Sequence, residues 1–533
     1  MYRVARYPEK RFLKEVFREF FASIRSMTQK KGCSMKRALS FLLSALALLA
    51  AVPIRADVAT TKTFTDNAVL QRDMAVRIWG TADAGEKVVV SFADQKKETT
   101  ADSDGGWSVF LDPMPACGEG KDLVISGKNT LIFHNVVVGE VWICGGQSNM
   151  EMPLNSWGQP RLACTEEEIS GDYSFIRYNR AEHVISDEPR DEFNSAGWLL
   201  CKDGIQKNCT AAGFHFAVRL HKELGCPVGL IDSNWGGSNI NSWIPATGWK
   251  KVPELIPIRD QYEAELSAGK KVEDWARQAG MFNAMLNPWV PYTIRGAIWY
   301  QGESNAAEQE FYFFKQKAMI EEWRHLWGEG DFPFYWVQLA PFTHPSIRAD
   351  VTGDWPGLRD GQTKCLELPN TGQAVIIDVG ETLDIHPRDK FDVGNRLALW
   401  ALAGVFGKDV EPQSPTFESV KFENGKAIVK FSHVGSGLIT GVKNGRESLV
   451  ETPGTAPLRF AVGELLPKNN EKDPDKLAWI FADAEIVGSD TVVVSSPYVK
   501  NPSAVRYAWQ MNPEGCNLYS REGLPATPFR TDK

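Results

Sequence analysis

Two hydrophobic patterns alternate along the chain and predict different kinds of structure. From residue 57 to about 138, short apolar stretches such as KVVVSFA and WSVFLD are separated by turn sequences such as DAGE and DSDGG. No helical periodicity interrupts this rhythm, which is typical of a small β-sandwich. After about residue 407 the rhythm returns, in stretches such as KAIVKFSHV and LRFAVGE. We therefore expect an N-terminal β-sandwich domain over 57–138 and a C-terminal β domain over 408–533.

Between residues 139 and 407, continuous apolar runs alternate with stretches of helical periodicity. One helical pattern, over 211–225, ends at a glycine that suits a C-cap, and two others lie over 308–328 and 389–407. The predicted strands are VWIC (141–144), PVGLID (227–232), IRGAIWY (294–300), FPFYWVQLA (332–340) and QAVIIDV (373–379). Continuous apolar runs suit strands covered on both faces, so this region predicts an α/β domain with a doubly wound, mainly parallel sheet.

Composition and charge define the broad class of the protein. The 533 residues are 43% apolar and 24% charged, with a formal net charge of −8, which is typical of a globular protein of several domains. The sequence has no basic stripe, so we exclude nucleic acid as a partner. It has no CxxC motif and no zinc-like spacing of Cys and His, so we expect no structural metal. If the protein is exported, Cys201 and Cys209 are close enough in sequence to pair.

The N-terminal segment predicts export. Two basic residues precede the apolar run 38–52, and cleavage after Ala56 would complete a secretory signal peptide over residues 35–56. The apolar run is short for a membrane span, although a retained anchor helix is the alternative. We interpret residues 1–34 as an extension upstream of the true start at Met35. The mature protein is then periplasmic or extracellular, with no membrane span.

Small, polar or ionisable residues follow four of the predicted strands directly. These clusters are GGQSN (145–149), GGSN (236–239), QGESN (301–305) and GETLDIHP (380–387). Singly, each has an ordinary structural explanation, such as a helix N-cap or a glycine turn. The carboxyl ends of parallel strands share one edge of a sheet, however, and binding sites form there. We therefore expect the four clusters to meet in one cleft.

The clusters contain the parts of a nucleophilic site. Ser148 is a candidate nucleophile, and a serine hydroxyl needs a base to take its proton. His386 is the histidine that lies in such a cluster, and Asp384, two residues upstream, could accept its Nδ1 proton.

Donors for a tetrahedral oxyanion are also present in the clusters. We expect the backbone N–H groups of Ser148 and of Gly237 or Gly236, together with the Asn305 side-chain amide, to supply them. Substrate contacts are assigned to the amides beside the motifs and to nearby tryptophans, which commonly pack against sugars. These predicted substrate-binding residues are Gln147, Gln301, Trp235, Trp243 and Trp299.

The motifs GQSNMEMP, NWGGSNINSW, WYQGESNA and DIHPRDK together resemble the sialate O-acetylesterase family, within the SGNH hydrolases. The resemblance covers roughly residues 57–520, including the flanking β domains. It implies serine esterase chemistry on O-acetyl groups of sugars, without a metal or organic cofactor. Carried over by motif, Ser148 is the nucleophile, His386 is the base, and Gly237 and Asn305 match the oxyanion positions.

The acid of the triad is the point where this sequence departs from the wider SGNH pattern. That pattern is Asp-x-x-His, whereas here Leu383 lies three residues before His386 and Asp384 lies two before it. Related acetylesterases can use the glutamate of the QGE string instead, which is Glu303 in this chain. We favour Asp384 and keep Glu303 as a rival or a second partner of His386.

The motifs predict a serine hydrolase with a two-step acyl-enzyme mechanism, and the resemblance implies that it acts on O-acetylated sugars, with 9-O-acetylated sialic acids as the expected substrate. Acetylated xylan or another acetylated carbohydrate is the nearest alternative. A glycosidase that uses Glu303 and Asp384 as its carboxylate pair would leave Ser148 without a role. A glycan-binding protein without turnover is the third alternative.

Overall fold

The first strands of the chain run directly into its central sheet. The computed structural model describes residues 57–158, 164–466 and 477–532, so the predicted signal peptide and the 1–34 extension lie outside the described residues. The N-terminal strands are β1 (Val69–Gln71), β2 (Val76–Thr81), β3 (Lys87–Phe92), β4 (Gln95–Thr100), β5 (Gly106–Leu111), β6 (Cys117–Ser126) and β7 (Thr130–Gly146). β7 pairs antiparallel with β6 in its first half and enters the central sheet with its second half. One continuous strand therefore crosses the domain boundary predicted at 138/139, and the domain limits stay predictions.

The central sheet has the strand order β13-β12-β11-β7-β10-β8-β9 and is parallel except for β9. Its further strands are β8 (Tyr173–Arg180), β9 (Leu199–Cys201), β10 (Val228–Asn234), β11 (Gly296–Tyr300), β12 (Phe334–Val337) and β13 (Thr371–Ala374). Within β7, Val141 and Ile143 pack into one hydrophobic core, while Trp142 and Cys144 pack into another. Both faces of the sheet are thus buried, which is why these strands are continuously apolar in sequence. The predicted α/β class is confirmed.

Helices cover both faces of this sheet. The α-helices are α1 (Ser148–Glu151), α2 (Glu166–Ser170), α3 (Ala211–Leu224), α4 (Gly248–Lys251), α5 (Ile256–Ser267), α6 (Tyr312–Trp327), α7 (Trp355–Lys364) and α8 (Lys390–Gly404). Residues of α3 and α8 belong to one core, and residues of α6 and α7 belong to the other. α3 ends at Gly225 with φ +65°, as the sequence predicts for a glycine C-cap.

Shorter helical turns connect these elements. The 3₁₀ segments are Ser156–Gly158, Ile205–Asn208, Ile240–Ser242, Pro253–Leu255, Asp274–Ala276, Asn287–Trp289, Glu303–Phe311 and Cys365–Glu367, and a π-helical turn spans Phe282–Leu286. No helix among the described residues has the length and apolar character needed to cross a membrane.

Additional β-sheets form the C-terminal part of the chain. Their strands are β14 (Thr416–Glu423), β15 (Lys426–Ser432), β16 (Leu438–Val442), β17 (Val450–Glu451), β18 (Phe460–Leu465), β19 (Leu477–Phe481), β20 (Asp483–Val487), β21 (Thr491–Ser495), β22 (Ala504–Tyr507), β23 (Leu518–Ser520) and β24 (Phe529–Arg530). They pair in the orders β14-β15-β21-β20, β17-β16-β23 and β19-β18-β22-β24. Val375 and Ile377, just after β13, pack into their core. The segment that leads to His386 is therefore anchored to the C-terminal sheets.

Three strands of the central sheet end level with one another. Gly146 of β7 lies in register with Asn234 of β10 and with Tyr300 of β11. Gly146 has φ +143°, and a Cβ there would lie 2.2 Å from the Tyr300 carbonyl oxygen, so the close approach of β7 and β11 requires glycine. The chain leaves each strand at the same edge, as predicted from the four motif clusters.

Cysteine pairing differs from what the sequence spacing permits. Cys201 and Cys209 are both buried free thiols, as are the other cysteines of the described residues except the half-buried Cys117, also a free thiol. The possible Cys201–Cys209 disulfide is not formed. Burial raises the pKa of the Cys209 thiol well above its ordinary value, because an apolar environment disfavours the thiolate.

Candidate active site

Ser148 and His386 are in direct contact although 238 positions separate them in the chain. The Ser148 hydroxyl oxygen lies 2.8 Å from Nε2 of His386. Ser148 is the first residue of α1, immediately after β7, and His386 lies in the irregular segment between β13 and α8. This distance is within hydrogen-bond reach, so the imidazole can take the hydroxyl proton.

Asp384 lies at the other nitrogen of the His386 ring. Its Oδ1 is 3.4 Å from His386 Nδ1 and also accepts a 2.9 Å hydrogen bond from the His386 backbone N–H. This second bond closes a short turn of the kind that aspartate side chains make with the backbone two residues on. The turn explains how a carboxylate only two residues before the histidine still reaches its ring.

Glu303, the rival acid, faces a different partner. Its Oε1 accepts a hydrogen bond from Asn149 Nδ2 at 2.5 Å, and no described hydrogen bond or ion pair joins it to His386. Burial is the main cause that raises the pKa of Glu303. Of the two carboxylates considered, the one beside the imidazole is thus that of Asp384.

The protonation state of His386 suits a base. Burial is the main cause that lowers its pKa, the positive charge of Lys390 lowers it further, and Asp384 opposes both. The neutral imidazole is consequently favoured near neutral pH, and only this form can accept a proton.

The Gly236–Gly237 turn packs against Ser148. A Cβ at Gly236 would lie 3.4 Å from Ser148 Cβ, and the Gly236 N–H donates to Glu151 Oε2 at 2.5 Å. Gly237 is exposed with φ +74°, and its N–H makes no hydrogen bond to another described residue. The N–H of Ser148, as the first residue of a helix, has no partner within that helix. Of the predicted oxyanion donors, these two N–H groups are the ones left without a hydrogen-bond partner among the described residues.

Asn305 differs from its predicted role. It is buried, and its Nδ2 donates to Asn239 Oδ1 and to Glu308 Oε1, both at 2.9 Å. Its Oδ1 accepts from the Ile240 N–H. Since both amide hydrogens are already used, the prediction that Asn305 donates to an oxyanion is wrong for this geometry. Its amide instead ties the segment after β10 to the segment after β11.

The two glutamines predicted to bind substrate form a buried brace. Gln147 Oε1 accepts from Gln301 Nε2 at 3.0 Å and from the N–H groups of Gly302 and Ser304 at 3.3 Å. Gln301 has no exposed surface and Gln147 almost none. A direct contact between Gln301 and a substrate is therefore excluded in this structure, and both side chains hold the loops around Ser148.

The predicted tryptophans divide into core and surface residues. Trp243 and Trp299 are completely buried and pack edge to face, so the prediction that they contact a sugar is wrong. Trp235 is half-buried, precedes the glycine turn and stacks on His183 with ring centroids 4.5 Å apart. It alone of the three borders the site at its surface.

Trp157 is a surface residue of the site that the motifs did not reveal. Its side chain is 48% exposed, and its ring centroid lies 5.5 Å from that of His386. A large apolar side chain in the polar loop after the serine motif is the signal that could have indicated it. Exposed aromatic rings thus border both His386 and the glycine turn.

Comparisons with known proteins relate the chain to carbohydrate esterases. Residues 138–371 match the family of carbohydrate esterases described as sialic acid-specific acetylesterases. Sialate O-acetylesterases from Mus musculus and Homo sapiens are 28% and 29% identical to the chain, over 87% of it and at least 90% of each relative. The crystal structure of a carbohydrate acetylesterase from Xanthomonas citri superposes with a TM-score of 0.76 at 32% identity, covering 89% of this chain and all of that one. The chain belongs to the sialate O-acetylesterase family.

Membership of the sialate O-acetylesterase family makes the protein a carboxylic ester hydrolase, as its motifs predicted. The family match includes Ser148, Gly237 and Glu303 and ends before Asp384 and His386. The alignments with the full-length relatives and the Xanthomonas structure extend well beyond that match. The similarity therefore includes the C-terminal β-sheets as well as the central sheet.

Proposed function

We propose that the protein is a serine esterase that removes O-acetyl groups from sialic acids through an acyl-enzyme. The observation that carries this proposal is the 2.8 Å contact between Ser148 Oγ and His386 Nε2, with Asp384 at the other ring nitrogen. The names of the mammalian relatives support sialic acid as the sugar. The Xanthomonas neighbour, a carbohydrate acetylesterase, supports acetyl as the acyl group that is transferred to the serine.

The proposed reaction has two acyl-transfer steps. His386 takes the hydroxyl proton as Ser148 attacks the acetyl carbonyl, and the negative oxygen of the tetrahedral intermediate accepts from the N–H groups of Ser148 and Gly237. The sugar oxygen leaves with the proton from His386. Water, deprotonated by His386, then attacks the acetyl-serine, and the serine leaves with that proton as acetate is released.

Trp157 and Trp235 are the proposed walls for the sugar. Trp157 presents partly exposed aromatic surface next to His386, and the half-buried Trp235 directly precedes the glycine turn that packs against Ser148. An aromatic face packs well against the apolar face of a pyranose. In the proposed complex the sugar packs against these rings and its acetyl group points toward Ser148. A bound complex in which neither ring touches the sugar would contradict this placement.

The remaining assignments concern architecture and location. We propose that the central domain, over 139–407, is of the SGNH hydrolase type, flanked by β domains over 57–138 and 408–533. We further propose export by the signal peptide at 35–56, so that the mature chain begins at Asp57. N-terminal sequencing of the exported protein tests this, and a start elsewhere would contradict it.

An acetate-release assay tests the function. The mature chain is incubated with 9-O-acetylated sialic acid, acetylated xylan oligomers and simple acetyl sugars, and free acetate is measured. We expect the highest kcat/KM on the sialic acid ester. A clear preference for xylan would retain the chemistry and overturn the substrate. Release of reducing sugar without acetate would overturn both.

A further inference from the structure

A buried lysine lies beside the Ser148–His386 pair. Lys390, the first residue of α8, has no exposed surface. Its ammonium group donates to Asn149 Oδ1 at 2.7 Å and to the Pro387 carbonyl at 2.6 Å, and it lies 5.2 Å from the centre of the Tyr300 ring. Lysine is rarely buried completely unless it is paired. Its position therefore requires a specific reason.

Asn149 connects this lysine to the rest of the site. Its Nδ2 donates to Glu303 Oε1 at 2.5 Å and to the Ile385 carbonyl at 3.0 Å, while its Oδ1 accepts from Lys390. The side chain of Asn149 thus uses its oxygen and both of its hydrogens. Lys390, Asn149 and Glu303 form one connected network, which we name the buried clamp.

The clamp holds the residues next to both partners of the catalytic pair. Asn149 directly follows Ser148 in the chain. Ile385 and Pro387 directly precede and follow His386, and their carbonyls are the ones that Asn149 and Lys390 bind. The backbone on both sides of the imidazole is therefore fixed to the residue adjacent to the nucleophile.

The charges of the clamp are costly to bury. Burial lowers the pKa of Lys390 to about 7, against the opposing effects of Glu303, Asp389, Glu381 and Asp384. Burial also raises the pKa of Glu303. Buried ion pairs often contribute little net stability compared with apolar side chains of similar size. Stability alone is therefore a weak explanation for this lysine.

We propose that the buried clamp positions His386 against Ser148 for the esterase reaction, with Lys390 and Asn149 as positioning residues. This proposal rests on the proposed function, since it assumes that the serine–histidine pair performs the chemistry. The segment 375–389 carries no helix or strand, so side-chain bonds must supply the fixed geometry that regular structure supplies elsewhere. A displacement of about 1 Å in such a pair can cost about 10²-fold in rate.

Lys390 has a second, electrostatic effect on the same imidazole. The charged groups that act on His386 are Lys390, which lowers its pKa, and Asp384, which raises it. Removal of the lysine charge should consequently raise the pKa of His386. Because the neutral imidazole is the active form, the acid limb of the rate profile should move to higher pH.

The central experiment compares Lys390→Met and Asn149→Ala with the wild-type chain in acetate release. For Lys390→Met we expect kcat to fall about 10²-fold. KM should change less than about threefold, because the residues proposed to contact the sugar are untouched. The acid limb of kcat/KM should move to higher pH. For Asn149→Ala we expect a similar loss of kcat with a smaller movement of the limb, since the lysine charge is retained. A lysine that supported the fold without acting on His386 would not move the pH profile.

Arg295→Met is the matched control. Arg295 pairs with the fully buried Glu140, so the variant also breaks a buried ion pair. Arg295 immediately precedes β11 and lies five residues before Tyr300. At about 3.3 Å per residue, it is about 17 Å from the end of the strand at which the active site lies. We expect Arg295→Met to lose stability while it keeps the wild-type kcat and pH profile.

The outcomes separate failure of the clamp from failure of the proposed function. If Ser148→Ala keeps the wild-type rate, the proposed function fails. If Ser148→Ala is inactive but folded Lys390→Met keeps kcat within twofold and an unchanged acid limb, only the clamp is overturned. If Lys390→Met does not fold, Asn149→Ala decides, and a kcat within twofold of wild type overturns the clamp.

Discussion

The two halves of the catalytic pair are positioned in different ways. Ser148 is held by backbone, because it lies where β7 passes into α1 and where Gly146 packs directly against Tyr300. His386 is held by side chains, through the Asp384 turn and the bonds to its flanking carbonyls. The difference teaches that regular secondary structure positions the serine, whereas polar side-chain contacts in an irregular segment position the histidine.

The largest expected effect comes from removal of the nucleophile on the backbone-held side. Ser148→Ala should lower kcat by about 10⁴- to 10⁶-fold, because the hydroxyl that forms the proposed acyl-enzyme is lost. The melting temperature should stay close to wild type, since only one hydroxyl is lost. Acetate release and thermal unfolding measure the two quantities. A loss below tenfold in a folded variant would refute the nucleophile.

On the side-chain-held side, the acid should matter less than the nucleophile. Asp384→Asn should lower kcat by about 10²- to 10⁴-fold, because the turn can persist while the charge that stabilises the imidazolium is lost. Glu303→Gln should cost less than about tenfold, since a glutamine oxygen can still accept from Asn149. Steady-state kinetics of the two variants decide between the acids. The reverse order of losses would assign the role to Glu303.

The backbone support of Ser148 can be broken directly. In Gly146→Ala, the new Cβ would lie 2.2 Å from the Tyr300 carbonyl oxygen at φ +143°, so we expect a loss of about 3 kcal/mol or more in the free energy of unfolding. Gly328→Ala is the control, because Gly328 also has positive φ but has nothing within 4 Å of a built Cβ. It should lose about 1 kcal/mol. Urea denaturation measures both, and equal losses would show that the contact with Tyr300 is unimportant.

The smallest expected effect is a shift in pH dependence. Since burial and Lys390 lower the pKa of His386, the acid limb of kcat/KM should fall below the ordinary histidine value of about 6.5. Activity is then retained as the pH falls to 6.5 and is lost only below it, when the imidazole becomes protonated. A pH–rate profile of the wild-type chain provides the test. A limb above 6.5 would contradict the environment described for His386.

The sequence predicts what depends on backbone pattern. The ends of β7, β10 and β11 and the placement of Ser148 after the first of them follow from continuous apolar runs that stop at polar clusters. The Ser148–His386 contact could also be predicted, because parallel strands bring their carboxyl ends to one edge. The end of α3 at Gly225 could likewise be predicted from the sequence.

What the sequence could not predict depends on side-chain direction and tertiary neighbours. Trp299 belongs to β11, and its flanking sequence does not show whether its ring lies in the core or in the active-site cleft. Asn305 carries the right group, but its amide hydrogens are taken by Asn239 and Glu308. Lys390 looks like an ordinary charged residue at a helix start, and only its buried partners make it unusual. Sequence pattern gave the location of the site more readily than the contacts inside it.

The length of β7 has a consequence for how the protein can be divided. β7 is a single strand of seventeen residues. Its first half pairs with the N-terminal strands, and its last residue lies just before the nucleophile. A truncated chain that begins at residue 139 would lack the first half of β7. The second half, which leads to Ser148, would then also lose its neighbours β1 and β6. The smallest fragment that we expect to fold as an active enzyme therefore includes the N-terminal strands, because they are part of the same folding unit as the catalytic residues.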